Sequence, residues 1–188
     1  MKFNREKIVN LVLLIAAGIV LFTPLGFPVK VFVNKLISFA PSEVAEEKRF
    51  ILKDYHWNLI APENKSVNFQ EFQNQVVVVN FWATWCPPCV AEMPDFQALY
   101  DDYGTEVVFL LVANEDATVV NTFMHKKGYT LPVYYSQNAP PSLLQSSAIP
   151  ATFVIGKSGE IVIDKTGAAD WNSESTRALL DRLLLNKV

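Results

Sequence analysis

Four consecutive valines, Val76 to Val79, run on into Asn80-Phe81-Trp82 and then, past Ala83-Thr84-Trp85, into Cys86-Pro87-Pro88-Cys89. So many β-branched and aromatic residues without a polar alternation predict a strand buried on both faces, the kind found at the centre of an α/β sheet. The strand must end near Trp82 and a helix must begin at Pro87, because proline at the first helical position gives up an amide hydrogen that has no partner there anyway. A buried strand feeding a helix is a demanding local constraint, since both faces of that strand need cover. It also places two cysteines at the carboxyl edge of a sheet, where α/β proteins expose their chemistry.

The rest of the chain can supply that cover. Residues 55–60 are a short strand candidate and residues 69–72 one helical turn. From Pro87 the pattern turns helical with Val90, Met93, Ala98 and Leu99 on its apolar side and Pro94 as an expected kink. Val107–Ala113 reads as a second buried strand, and residues 118–127 as a helix with Val119, Val120, Phe123 and Met124 facing in, closed by Gly128. Val133–Ser136 is a third parallel candidate, and residues 141–146 a short helix. Ala151–Ile155 and Ile161–Thr166, joined by residues 156–160, read as a hairpin, and residues 173–186 as a closing helix capped by Ser173 or Asn172. Alternating units followed by a hairpin predict a mixed α/β sheet with helices on both faces. At 188 residues, one such domain plus an appendage fills the chain.

The appendage is amino-terminal. Residues 8–27 hold only Asn10, Thr23, two glycines and one proline besides apolar residues, long enough to cross a hydrocarbon layer of about 30 Å once as a helix. Lys2, Arg5 and Lys7 precede it and favour an amino terminus held inside, a signal that Lys30 and Lys35 weaken. A cleaved signal peptide is the competing reading, with its best small-x-small site only at Ser38-Phe39-Ala40. Residues 29–40 carry Val33, Leu36, Ile37 and Ala40 at helical spacing, which suits either a helix in the membrane–water interface or a continuation of the anchor. Residues 41–49 are a polar linker. The expected division is an anchor over 1–28, an interfacial segment and linker over 29–50, and one domain over 51–188. Of 16 basic and 19 acidic residues, five bases and one acid fall in the first 40 positions, leaving 11 against 18 from Pro41 onward. A domain with that balance is no phosphate binder, and nucleic acid is excluded as a partner.

Two cysteines three positions apart are a site and not a framework. A thiolate of Cys86 at the helix start would feel the unpaired amides and the positive end of the helix dipole, which lowers its pKa and makes it the available nucleophile, whereas Cys89, one turn in, points toward the protein. The spacing lets the pair close into a disulfide with little backbone rearrangement. Zinc wants four ligands, and the chain adds only His56 and His125, unpaired at ligand spacing. Inert core thiols would need burial, against the exposed junction expected here.

With Phe81-Trp82-Ala83-Thr84-Trp85-Cys86-Pro87-Pro88-Cys89, Glu92-Met93-Pro94 and Ile149-Pro150-Ala151-Thr152-Phe153 taken together, residues 55–185 resemble the thioredoxin superfamily, and within it the TlpA- and ResA-like membrane-anchored thiol–disulfide oxidoreductases. That resemblance implies a thioredoxin-like fold in which Cys86 attacks a substrate disulfide and Cys89 resolves the mixed disulfide. It implies that Pro150 is a cis-proline against the pair, its flanking backbone pairing with substrate. Trp85, Pro87 and Ile149 are the candidate substrate contacts. It implies no cofactor. Where a cytosolic thioredoxin carries a buried aspartate, this chain has Asn80, which cannot titrate. Glu92, matching the acidic residue of ResA-like proteins, is the candidate for proton handling, the alternative being a solvated helix carboxylate. A charged Glu92 near the sulfurs would oppose a thiolate and favour the disulfide, as in a reductant.

The resemblance implies a membrane-tethered enzyme with its domain outside the membrane, reducing disulfides of exported proteins. With no third cysteine it needs a separate thiol donor. The same cysteines would also serve an oxidase of DsbA type, or a copper(I) chaperone or adaptor that turns nothing over. A peroxidase is excluded, because Val79 stands where its proline would be, seven before Cys86.

Overall fold

The computed structural model describes residues 5–186. Along the chain lie α1 (Arg5–Phe22), α2 (Phe27–Ile37), β1 (Asn58–Ala61), β2 (Lys65–Asn68), β3 (Val76–Trp82), α3 (Pro87–Tyr103), β4 (Val107–Ala113), α4 (Ala117–Lys127), β5 (Val133–Ser136), β6 (Ala151–Ile155), β7 (Ile161–Thr166) and α5 (Glu174–Leu185). The strands form one mixed sheet in the order β2-β1-β5-β4-β3-β6-β7, with the valine-rich β3 between a parallel β4 and an antiparallel β6. Both faces of β3 are covered, as its composition requires. Val76 and Val78 belong to a core with Met93 and Phe96 of α3, Val120 of α4 and Leu179 of α5. Val77 and Val79 face the other way, onto Trp57, Phe69 and Leu144.

The two faces are covered differently. The strands β3, β4 and β5 advance in one direction across the sheet, so two successive right-handed crossovers place α3 and α4 on the same side. There α5 joins them. On the opposite face lie short 3-10 turns, Phe69–Phe72, the single turn expected there, and Ser142–Leu144, backed by the loop that carries Leu52, Tyr55 and Trp57. The helical segment expected over residues 141–146 is thus shorter than its sequence suggested. The strand expected over residues 55–60 starts only at Asn58, because the Asp54 carboxylate accepts the amide of His56 at 2.9 Å and turns the chain there. Its partner β2, a four-residue polar edge strand, has no periodic signal to betray it. Val119 is exposed, not inward: the buried stripe of α4 is Val120 and Met124, with Phe123 half-covered.

The amino-terminal segment departs most from its expected form. The single uninterrupted span over residues 8–27 breaks at Thr23, whose backbone is extended (φ −119°, ψ 157°) because the residue before a proline is driven out of the helical region. Pro24–Gly26 forms a 3-10 turn so tight that a Cβ on Gly26 would lie 2.0 Å from the Val20 carbonyl oxygen. Among the described residues no single helix is long and apolar enough to cross a membrane; α1 and the segment through α2 together have the length and composition, bent by 87°. The boundary between residues 28 and 29 falls inside α2. Of the basic residues before the apolar run, Lys2 lies outside the described residues.

Neither α2 nor the polar stretch after it hangs free. α2 packs along α3, the Val44 amide donates to the Val162 carbonyl at 2.8 Å, and Arg49 pairs with Glu43 and Glu160.

Candidate active site

β3 ends at Trp82, and the loop to α3 is held by a residue that sequence reasoning passed over. Glu115, just beyond β4, accepts the Thr84 amide at 2.6 Å and the Thr84 hydroxyl at 2.8 Å. Two bonds to one carboxylate set the path of the chain into Cys86. Cys86 is the N-cap of α3, and Pro87 and Pro88 occupy the next two positions. Neither proline has an amide hydrogen, so the first helix amide able to reach the cap is that of Cys89, and it donates to the Cys86 sulfur at 3.3 Å.

The structure holds Cys86 and Cys89 as a disulfide, with Cα atoms 5.2 Å apart. Contrary to the exposed Cys86 expected from the helix-start position, both are covered in this oxidised form, Cys86 at 3% and Cys89 at 1%. The cover comes from across the sheet edge. The Ile149–Pro150 peptide is cis and the Ile149 carbonyl oxygen lies 3.9 Å from the Cys86 sulfur. Trp85, 65% exposed, stands beside a cleft of about 520 Å³ that Ile149, Ala83, Pro140 and Gln145 also line. Pro87 is half-buried at the head of α3. The candidates Trp85, Pro87, Ile149 and Pro150 are therefore gathered around the pair.

Glu92 is not a solvated helix carboxylate. It is 1% exposed, and one oxygen, Oε1, accepts both the Ala169 amide and the Trp171 indole N–H, each at 2.7 Å. Oε2 makes no hydrogen bond among the described residues. Burial pushes the Glu92 carboxyl up to about 8, outweighing the two donors, which favour the charged form. At pH 7 it is mostly protonated, so the repulsion of a thiolate expected from a charged Glu92 sets in only toward pH 8. Asp95, one turn further along α3, is also buried and raised by burial, against the ion pair it makes with Lys35 of α2. No local pattern marks Ala169, Trp171 or Lys35, which lie far from Glu92 in sequence.

Asn80 is buried in β3, where its side-chain amide donates to Thr152 Oγ1 at 2.8 Å across the β3–β6 ladder. His56 and His125 are exposed.

Sheet order, helix placement and a C-x-x-C disulfide facing a cis-proline define a thioredoxin-like protein. Residues 50–181 match the family model described as Redoxin. The chain belongs to that family, and within the thioredoxin superfamily it is TlpA/ResA-like. It is 35% identical over 102 residues to the thiol-disulfide oxidoreductase ResA of Oceanobacillus iheyensis, a match spanning 53% of each protein, so only about half the length of that relative. It is 30% identical over 145 residues to the sporulation thiol-disulfide oxidoreductase A of Bacillus subtilis, covering 70% of this chain and 83% of that one. The crystal structure of StoA from Bacillus subtilis superposes with a TM-score of 0.50 at 23% identity, covering 73% and 98%, a likeness of fold.

Proposed function

We propose that the protein is a membrane-tethered thiol–disulfide oxidoreductase that reduces disulfides of exported proteins. The observation that carries this reading is the Cys86–Cys89 disulfide at the head of α3, with the Ile149 carbonyl against its outer sulfur and the buried Glu92 one turn beyond its inner one. In the reduced protein the Cys86 thiolate attacks one sulfur of a substrate disulfide. A mixed disulfide forms and the other substrate sulfur leaves as a thiolate. Cys89 then loses its proton and attacks Cys86, forming the intramolecular disulfide and releasing the second substrate thiol. In its ionised form Glu92 is suited to take the Cys89 proton, and in its protonated form to return it, since a carboxyl near 8 is matched to a thiol near 8.5 where an ordinary carboxyl would be some four pH units away. An external dithiol supplies the two electrons that restore the pair. Trp85 and the backbone around Pro150 receive the substrate chain.

The reducing direction is supported by the double proline. With Pro87 and Pro88 at the first two helical positions, a Cys86 thiolate meets one amide of the first three, and a weakly stabilised thiolate favours the disulfide. Tethering is supported by the exposed apolar surface of α1 and by Phe32, Leu36 and Ile37 of α2. In this reading α1 enters the bilayer with its amino end inside, α2 lies at the outer interface, and the domain stands outside.

The test is equilibration of the full chain in detergent micelles with glutathione. A reduction potential nearer −270 mV than −120 mV supports a reductase. A value near −120 mV makes the protein an oxidase, and stoichiometric copper(I) binding without turnover of a model disulfide makes it a chaperone.

A further inference from the structure

Glu92 and Asp95 share one short loop. Ala169 and the indole of Trp171 donate to Glu92, the backbone amide of Trp171 bonds Asp95, and the Trp171 ring stacks on Phe96 at 5.4 Å. Two buried carboxyls one helical turn apart repel when both are charged, and burial leaves little water to screen them. The compensating charge comes from outside the domain's core. Lys35 of α2 reaches over α3 and places its ammonium 2.5 Å from both Asp95 oxygens and 3.9 Å from Asp170.

We propose that Lys35 is a positioning residue of the redox centre, which acts through Asp95 to set the proton affinity of Glu92 and so makes the amino-terminal segment electrostatically part of the site. This rests on the reading of Glu92 as the proton carrier for Cys89. A surface ion pair between mobile side chains is worth little, but Asp95 is 6% exposed, and a buried carboxylate deprived of its cation must either take a proton or press its charge on the nearest acid. That acid is Glu92. The other charged or titratable groups that act on the two carboxyls are Lys165 of β7, Asp170 of the shared loop and Tyr129 after α4; the cysteines are held as a disulfide and do not titrate. All of these belong to the domain, whereas Lys35 is supplied by the segment that precedes it. Lys165 also lowers Glu92, but it is fixed within the sheet and gives no link to α2.

The experiment follows the Glu92 carboxyl by carbon-13 NMR in the oxidised full chain, in detergent micelles, across pH 5 to 10. Lys35→Met should raise the Glu92 midpoint by about one pH unit, and Asp95→Asn should lower it by a similar amount. The double variant should return close to the wild type, and Lys35→Arg should match it. Opposite signs separate charge coupling from loss of packing, which would move both single variants the same way. Equal signs, or no movement in either, overturn the proposal. If Lys35→Met fails to fold, Lys35→Gln, which also removes the charge, takes its place under the same criteria. The pH dependence of the reduction potential is read alongside. A potential that ignores a shifted Glu92 midpoint counts against Glu92 as the proton carrier and leaves the Lys35 coupling standing.

Discussion

Replacing Glu92 by Gln isolates the consequence of burying that carboxyl. The group ionises near 4.5 when solvated and near 8 in the fold, so between those limits the native state holds a proton that the unfolded chain has released. Stability therefore falls as pH rises through this window, because the native state binds the more protons. At 1.36 kcal/mol per pH unit, the cost of this one group is about 1 kcal/mol at pH 5 and about 4 kcal/mol at pH 8. Gln keeps the acceptor for Ala169 and Trp171 and carries no titrating proton. Urea unfolding of the oxidised wild type and Glu92→Gln, measured at pH 5, 6, 7 and 8, should show the variant gaining about 3 kcal/mol on the wild type across the series. With an m-value of about 2 kcal/mol/M, the difference in unfolding midpoint should widen by about 1.5 M. Parallel profiles would mean that Glu92 ionises normally in the fold, and its matching to a thiol would go with it.

Cys86→Ser should abolish turnover of a model disulfide, whereas Cys89→Ser should accumulate a mixed disulfide with substrate; faster alkylation of Cys89 than Cys86 in the reduced protein would reverse the roles. Thr152→Val removes the acceptor of the buried Asn80 amide and should cost about 1–3 kcal/mol in urea, with unchanged stability as the contrary result. Glu115→Ala removes both bonds that hold Thr84 and should make the Thr84 amide exchange quickly with solvent while α5 stays protected; slow exchange would show that the loop is fixed by something else. A reporter joined after Val188 should be active only on the exported side of the membrane, and full-length protein in the soluble cytoplasmic fraction would contradict tethering.

What the sequence made legible was local. Val76–Trp82, Val107–Ala113 and the hairpin strands Ala151–Ile155 and Ile161–Thr166 stand in the structure where their apolar runs placed them, because a buried strand writes its burial into consecutive residues. The capping of α5 by Ser173 is equally local. Sidedness was not, since it follows from the direction in which β3, β4 and β5 advance, and no single element carries that information. The missed break after Phe22 was present as Pro24 but was outweighed by the apolar composition around it. At the site, the cysteine pair could be picked out by spacing, and Glu92 by the resemblance to ResA-like proteins. Their surroundings could not, because the donors to Glu92 lie 77 and 79 positions away and reach it only through the loop between β7 and α5.

The contrast between Asn80 and Glu92 then has a physical meaning. Asn80 is fixed inside the ladder by Thr152 and holds no proton to exchange, so the strand side of the cysteine pair is electrostatically silent. The titrating group sits instead on α3, where its partners are a loop before α5 and, through Asp95, a helix before the domain. A proton carrier on a central strand is insulated by the sheet on both sides. One on the outer helix is open to whatever packs against that helix, and here the packing element is α2. Under the proposed coupling through Lys35 and Asp95, moving the acid from strand to helix exchanges insulation for coupling, and a change in how α2 lies on α3 would change the proton affinity beside Cys89.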